Sequence, residues 1–167
     1  MNIDSILEAV PLFGQCMDAT ERHLLSQSAR TIEFAKGEEI IKEGEQGDKL
    51  YVIKSGTVSV LTKDRDSETK VAKLRSGQIF GEISLLTGLP RLATVIADDT
   101  VELVEITKPM MRDLLRASPK LFDRFASLLQ KRQGDLDQVV NDPEYWQRFG
   151  HSGENLSSTM RRNFEAG

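Results

Sequence analysis

Residues 78–97 read QIFGEISLLTGLPRLATVIA and contain two charged side chains, Glu82 and Arg91, in a chain that is 29% charged. The rest of the stretch is apolar, small or uncharged, and two glycines and a proline interrupt it. Such interruptions do not suit a plain core helix. An isolated ion in apolar surroundings is costly, so each charge requires a partner. That partner is the other charge, the solvent or a bound ligand.

The residues around the two charges favour a bound ligand. Gly81 allows the backbone to approach a ligand closely, and a short helix starting near Glu82 would point free N–H groups at an anion. Arg91 adds a guanidinium fork from the other side. A carboxylate beside this anion clamp is better used to accept hydrogen bonds from hydroxyl groups of the same ligand. An anion and a hydroxyl on one small molecule indicate a sugar phosphate or a nucleotide.

Outside this stretch the chain changes period twice. The first thirty residues and the region after about residue 108 follow helical spacing, with Leu121, Phe125, Leu128 and Leu129 on one stripe. Between them, short β-prone runs such as LYVIKSGTVSVL and VELVEI alternate with turn residues, which favours an antiparallel sandwich or barrel. The charged run KDRDSETK is interpreted as a solvated hairpin turn. The stripe packs on its own domain or on a second copy.

Bulk composition limits the possible functions. The 167 residues carry a net charge of −4 with no marked Lys/Arg cluster, so we expect no direct DNA binding. The absence of a long apolar run predicts no membrane span, and the single Cys16 suits the reducing cytoplasm. The two histidines are far apart and no Cys-x-x-Cys is present, so we expect no metal. No acid/base or nucleophile constellation stands out, which predicts a protein that is not an enzyme and has no cofactor.

The sequence FGEISLLTGLPRLATV resembles the phosphate-binding cassette of the cyclic nucleotide-binding domain family, F-G-E-x-(A/S)-L-L followed by P-R-x-A-T-V. The run GEEIIKEGEQGDKLYVIKSGTVSVL resembles the early strands of that family, and the resemblance extends roughly from Ile6 to Val140. It implies a mainly β fold, an eight-stranded antiparallel jelly-roll β-barrel with N-terminal helices and a long C-terminal helix. The expected domain is 1–140, with helices in 1–30, the barrel in 31–107 and C-terminal helices in 108–140. Residues 141–167 would be an extension or tail.

The resemblance also implies roles for individual residues. Glu82, helped by the Gly81 backbone, would accept a hydrogen bond from the ribose 2′-hydroxyl, and Arg91 would bind the exocyclic oxygens of the cyclic phosphate. Backbone amides of Ser84 and Leu92 would complete the phosphate cradle. The implied ligand set also includes two cassette neighbours, Ile83 and Ala93. Three residues would line the barrel wall, which are Val60, Val71 and Ala72. Three residues of the long helix would cap the base, which are Arg132, Leu136 and Asp137.

Leu92 departs from the family pattern, in which Ala, Ser or Thr often follows the arginine. Because Leu92 offers only its amide, it favours cyclic AMP over cyclic GMP and leaves open an altered site. The resemblance implies a regulatory sensor in which ligand binding moves the C-terminal helix. The alternative is a protein-interaction module on the same fold that has lost nucleotide binding. Implied partners are a second copy, paired through helix 119–140, and an unidentified downstream protein.

Overall fold

The computed structural model describes residues 2–64, 67–131 and 156–165. It begins with three helices, α1 (Ile3–Ala9), α2 (Pro11–Gly14) and α3 (Ala19–Ser28). Local capping explains where these helices start. The Asn2 side chain accepts the Ser5 N–H at the start of α1, and Asp18 and Glu21 form a reciprocal capping box at α3, an arrangement that satisfies two amides left unpaired at a helix N-terminus.

Eight strands follow in the part of the chain that the structure describes. They form two antiparallel four-stranded sheets, with orders β1-β8-β3-β6 and β2-β7-β4-β5. The prediction was an antiparallel sandwich or barrel with flanking helices. The antiparallel sheets and the flanking helices are confirmed, whereas closure into an eight-stranded jelly-roll barrel stays a prediction. The strands are β1 (Arg30–Phe34), β2 (Glu39–Ile41), β3 (Lys49–Ser55), β4 (Val58–Asp64), β5 (Ser67–Leu74), β6 (Ile79–Phe80), β7 (Thr94–Ala97) and β8 (Val101–Thr107).

The charged run predicted as a hairpin turn lies between β4 and β5, but most of it is strand. β4 continues to Asp64 and β5 begins at Ser67. The antiparallel register places Lys63 opposite Glu68. The two strands therefore extend into the run that the charge pattern predicted as a turn, because alternating charges are also compatible with a strand.

Four further helices are described, which are α4 (Glu82–Thr87), α5 (Lys108–Ala117), α6 (Lys120–Lys131) and α7 (Leu156–Glu165). α4 lies in the connection between β6 and β7. The predicted long C-terminal helix is described as far as Lys131, so its continuation to residue 140 stays a prediction. The polar tail predicted after residue 141 contains α7, a helix with Met160 and Phe164 buried, which the sequence analysis did not predict.

The hydrophobic core has two parts, and residues 78–97 contribute to both. One part joins the N-terminal and C-terminal helices to β3 and β8 and includes Leu85 and Leu86 of α4. The other lies between the sheets and includes Phe80 and Ala93. α4 and its flanking loops are therefore anchored on the helices and the sheets together.

The apolar stripe on α6 is buried within its own chain. Leu121 and Phe125 are fully buried, Leu129 is 8% exposed, and Leu128 packs against the same cluster. Of the two surfaces proposed for this stripe, the intramolecular one accounts for these side chains. Pairing of two copies through helix 119–140 stays a prediction and takes no support from them.

Candidate functional site

Residues 78–97 fold around a cleft between α4 and the second sheet. Gly81 is in the left-handed region, with φ of 83°, and caps the start of α4, so the chain turns sharply from β6 into the helix. The cleft has about 440 Å³ of space, part of it open to solvent. The predicted residues that line it are Val60, Gly81, Glu82, Ile83, Ser84, Arg91, Leu92 and Ala93.

Arg91 is a buried cation in the wall of this cleft, with 7% of its surface exposed. Its Nη1 donates to the carbonyl oxygen of Gly81 at 3.0 Å, and its Nη2 donates to that of Lys49 at 2.7 Å. Burial lowers the pKa of the Arg91 guanidinium, and nearby acidic groups such as Asp48 and Glu82 oppose this effect. Because an arginine side chain is not deprotonated in proteins, the group remains a cation at neutral pH.

Two glycines form the slot that holds the guanidinium. A Cβ added at Gly47 would lie 2.3 Å from both Cζ and Nε of Arg91 and 2.6 Å from the Ser84 hydroxyl. A Cβ added at Gly81 would lie 2.7 Å from Nη1 of Arg91. Any side chain at position 47 would therefore compete with Arg91 for space. The sequence analysis did not assign Gly47 to the site.

The loop that contains Gly47 is also tied to the backbone of Arg91. The Arg91 N–H donates to the Glu45 carbonyl at 2.8 Å, and the Gly44 N–H donates to the Arg91 carbonyl at 2.9 Å. These two bonds fix the position of the loop relative to the backbone of Arg91. The close approach at Gly47 therefore follows from a defined loop position.

Glu82 and Ser84 belong to the first turn of α4. Glu82 is 5% exposed and lines the cleft beside Arg91. The Ser84 hydroxyl donates to the Leu89 carbonyl at 2.5 Å, which ties the helix to the loop that leads to Arg91. The N-terminus of a helix favours an anionic ligand, because the helix dipole and the N–H groups of the first turn point toward it.

An apolar row across the second sheet forms the floor of the cleft. Val95 on β7 is in register with Ile41 on β2 and with Val60 on β4, and all three line the cleft. The sequence analysis assigned Val60 but missed Ile41 and Val95, together with Phe80, which precedes Gly81. Phe80 and Val95 are the first and last residues of the predicted motif and could have been included, whereas Ile41 requires the strand pairing to be known.

Other predicted residues lie beside the cleft or outside the described chain. Ala72 pairs with Val60 across β4 and β5 and continues the apolar row beyond the lining. Val71 lies in β5 where the pairing with β4 shifts register, so its role stays a prediction. The proposed base-capping residues Arg132, Leu136 and Asp137 fall outside the residues that the structure describes.

Residues 2–64, 67–131 and 156–165 contain no group of three or more His, Cys, Asp or Glu side chains placed to hold a metal ion. Within the same residues, no helix is both long and apolar enough to cross a membrane. The chemical groups that the cleft offers are thus a buried cation, a carboxylate, helix amides and an apolar floor.

Comparisons with known proteins identify similar chains. Residues 31–118 match the family model described as the cyclic nucleotide-binding domain. The cAMP-dependent protein kinase regulatory subunit of Mucor circinelloides f. lusitanicus is 28% identical over 125 residues, which are 75% of this chain and 28% of that protein. The regulatory domain of Toxoplasma gondii PKA in a co-crystal structure with cAMP aligns with a TM-score of 0.64 and 29% identity, covering 75% of this chain and 48% of that one.

A second solved structure is similar to the same degree but has a different ligand. It is the regulatory subunit of a cAMP-independent protein kinase A from Trypanosoma cruzi, bound to guanosine, with a TM-score of 0.64 and 29% identity over 89% of this chain and 48% of that one. The present chain spans less than half the length of each of these three relatives.

Proposed function

Because the chain belongs to the cyclic nucleotide-binding domain family, we propose that it is a regulatory domain that binds a cyclic nucleotide, preferentially cAMP, in the cleft between Arg91 and Glu82. The observation that carries this proposal is the buried guanidinium of Arg91, which shares one cleft with a carboxylate and the first turn of α4. Such a set suits a ligand with an anion at one end and hydroxyls at the other.

Arg91 would bind the cyclic phosphate. Its bonds to the carbonyls of Gly81 and Lys49 use two of the five guanidinium N–H donors, which leaves donor capacity for phosphate oxygens. These bonds also hold the side chain in place before ligand arrives, so less side-chain freedom is lost on binding. Low exposure strengthens a charge-assisted hydrogen bond by reducing screening. Amides of the α4 first turn would add donors from the opposite side.

Glu82 would bind the ribose, and the apolar floor would contact the rest of the nucleoside. The Glu82 carboxylate accepts hydrogen bonds and would take the 2′-hydroxyl. Val60 and Val95 present an apolar surface with no donor or acceptor. Leu92 offers its amide but no hydroxyl, which supports cAMP as the preferred ligand over cGMP.

Two alternatives have specific support. The guanosine-bound Trypanosoma cruzi structure raises a neutral nucleoside as a ligand, but the buried cation Arg91 favours an anionic one, because a desolvated charge requires a counter-charge or strong acceptors. The second is an interaction module that has lost nucleotide binding. Leu92 supports it, since this side chain lines the cleft where relatives often have a smaller residue.

The proposed role is regulatory, without catalysis and without a cofactor. Ligand would bind between the sheets and the helix that includes Lys120–Lys131, and would shift the population of helix arrangements. We further propose that residues 1–140 form the binding domain, with closed-barrel strands and a helix continuing to residue 140. We also propose that the chain pairs with a second copy, acts on an unidentified protein effector and is located in the cytoplasm.

Calorimetric titration of the full 167-residue chain with cAMP, cGMP and guanosine tests the proposal directly. We expect heat with cAMP, weaker binding of cGMP and none with guanosine. Arg91→Ala should lose about 2–5 kcal/mol of binding free energy, because it removes a buried charge-assisted contact. Arg75→Ala is the matched control, since Arg75 is exposed, and it should bind as the unmodified chain does.

Each outcome decides a different part of the proposal. Absence of heat with both cyclic nucleotides would favour the interaction module and overturn the sensor. Equal affinity in Arg91→Ala would overturn the assignment of the site while leaving nucleotide binding in place. Tight binding of guanosine would overturn the role of the phosphate.

A further inference from the structure

We propose that Asn163 on α7 is a positioning residue of the ligand site, which holds the C-terminal end of α4 so that the first turn of α4 is fixed in the cleft. This inference rests on the proposed function. It assigns a role to a segment that lies more than sixty residues beyond the cassette in sequence and contributes nothing to the cleft lining.

The side chain of Asn163 caps the end of α4. Its Nδ2 donates to the carbonyl oxygens of Leu85 at 2.8 Å and Leu86 at 3.0 Å. These carbonyls are among the last four of the helix, which have no intrahelical donor. The Nζ of Lys108 donates to Oδ1 of Asn163 at 3.0 Å, which fixes the amide with its NH₂ group toward α4.

The space at Gly88 also shows that the Asn163 side chain packs closely on the end of α4. Gly88 ends α4 in the left-handed region, with φ of 80°. A Cβ added there would lie 2.6 Å from Oδ1 of Asn163. The glycine therefore serves the helix end and the close approach of α7 together.

α6 holds the other face of α7. The rings of Phe122 and Phe164 are 6.0 Å apart at an edge-to-face angle, and the Arg161 guanidinium lies 4.8 Å from the Phe122 ring. The Ser157 hydroxyl donates to Asp123 at 2.6 Å. α7 thus connects α6, the helix proposed to respond to ligand, with α4.

The two ends of α4 make different contacts. Its first turn carries Glu82 and Ser84 into the cleft, and its last turn receives Asn163. Six residues of helix span only about 9 Å, and so short a helix is not stable without outside contacts. If its C-terminal end is released, the first turn must be ordered when ligand binds, and the affinity falls accordingly.

Three variants of the full chain test this inference by calorimetry with cAMP. Asn163→Asp keeps the shape and the Lys108 partner but places a carboxylate oxygen against two carbonyls, and we expect binding about tenfold weaker. Asn163→Ala removes the cap without repulsion and should bind about threefold to tenfold more weakly. Glu165→Ala is the matched control, because Glu165 is exposed on the same helix, and its affinity should not change.

Amide hydrogen exchange separates positioning from general loss of stability. In Asn163→Asp we expect faster exchange in α4 and α7, with exchange in β3 and β8 unchanged. Equal cAMP affinity in the unmodified chain and both Asn163 variants would overturn the inference. Faster exchange throughout the sheets would overturn it too, because the loss of affinity would then reflect global destabilisation. Absence of cAMP binding by the unmodified chain would instead overturn the proposed function, and the inference with it.

Discussion

At the scale of single residues, the geometry of the cleft depends on two glycines, Gly47 and Gly81, because neither has a Cβ atom. Arg91 occupies a slot between Gly47 and Gly81, in which a Cβ from either side would come within 2.7 Å of the guanidinium. The carbonyl partners of Arg91, from Gly81 and Lys49, set its direction. A guanidinium that is already held in one orientation binds a phosphate more tightly than a mobile guanidinium does. The reason is that its side-chain entropy is lost when the protein folds and not when the ligand binds.

Gly47→Ala is expected to weaken cAMP binding more than it weakens the fold. The new methyl would displace Arg91 or the Ser84 hydroxyl. Overpacking of this kind costs about 1–3 kcal/mol, which as lost binding free energy is roughly fivefold to 150-fold in affinity. Calorimetry measures the affinity and urea unfolding the stability. Gly37→Ala is the control, because position 37 has φ of 87° and open space around it. Gly37→Ala should lower stability and leave affinity unchanged, and a Gly47→Ala chain with unaltered affinity would contradict the slot.

At the scale of elements, some of the fold is predictable from local pattern and some is not. The strands were predictable because alternation and glycine turns are local signals, and the cassette residues were predictable because they lie in one contiguous motif. α7 was missed because its buried apolar residues, Met160 and Phe164, are four apart in a helix whose other residues, apart from Leu156 at its start, are polar or charged. Ile41 was missed because only the pairing of β2 with β7 brings it to the cleft.

Protonation of Asp123 in acid should weaken the contact between α6 and α7. A hydrogen bond from Ser157, aided by Arg161, lowers the pKa of the Asp123 carboxyl below its ordinary value. A lowered folded-state pKa means that the ionised carboxylate contributes stability above its ordinary pKa of about 3.9, and this contribution is lost as the pH falls through the folded value. Asp123→Asn should therefore flatten the pH dependence of stability in that acid range.

Thermal unfolding between pH 2.5 and pH 6, followed by circular dichroism, measures this difference. Ser157→Ala offers a comparison, because it removes the hydrogen bond and keeps the carboxylate, and should reduce the acid slope without abolishing it. Identical acid slopes in all three chains would show that Asp123 does not link α7 docking to pH.

At the scale of the whole molecule, residues 78–97 join the two parts of the core. Phe80 and Ala93 lie between the sheets, whereas Leu85 and Leu86 pack with the helices. A ligand that binds in the cleft therefore contacts a segment that is packed on both. A ligand that binds more tightly to one arrangement of this segment therefore also favours one arrangement of the helices packed on it. This is how a regulatory domain would convert ligand binding into a helix arrangement.

This arrangement predicts that cAMP stabilises the entire domain against heat. A ligand at a hundred times its Kd adds about 2.7 kcal/mol to the free energy of unfolding, and about 2–4 °C per kcal/mol is typical for chains of this size. The melting temperature should rise by roughly 5–11 °C, measured by differential scanning calorimetry at saturating cAMP. Arg91→Ala should show little of this shift at the same cAMP concentration, and Arg75→Ala should show all of it. A single shifted transition means that sheets and helices unfold together, whereas a shift confined to one of two resolved transitions would show that the cleft does not couple the two parts of the core.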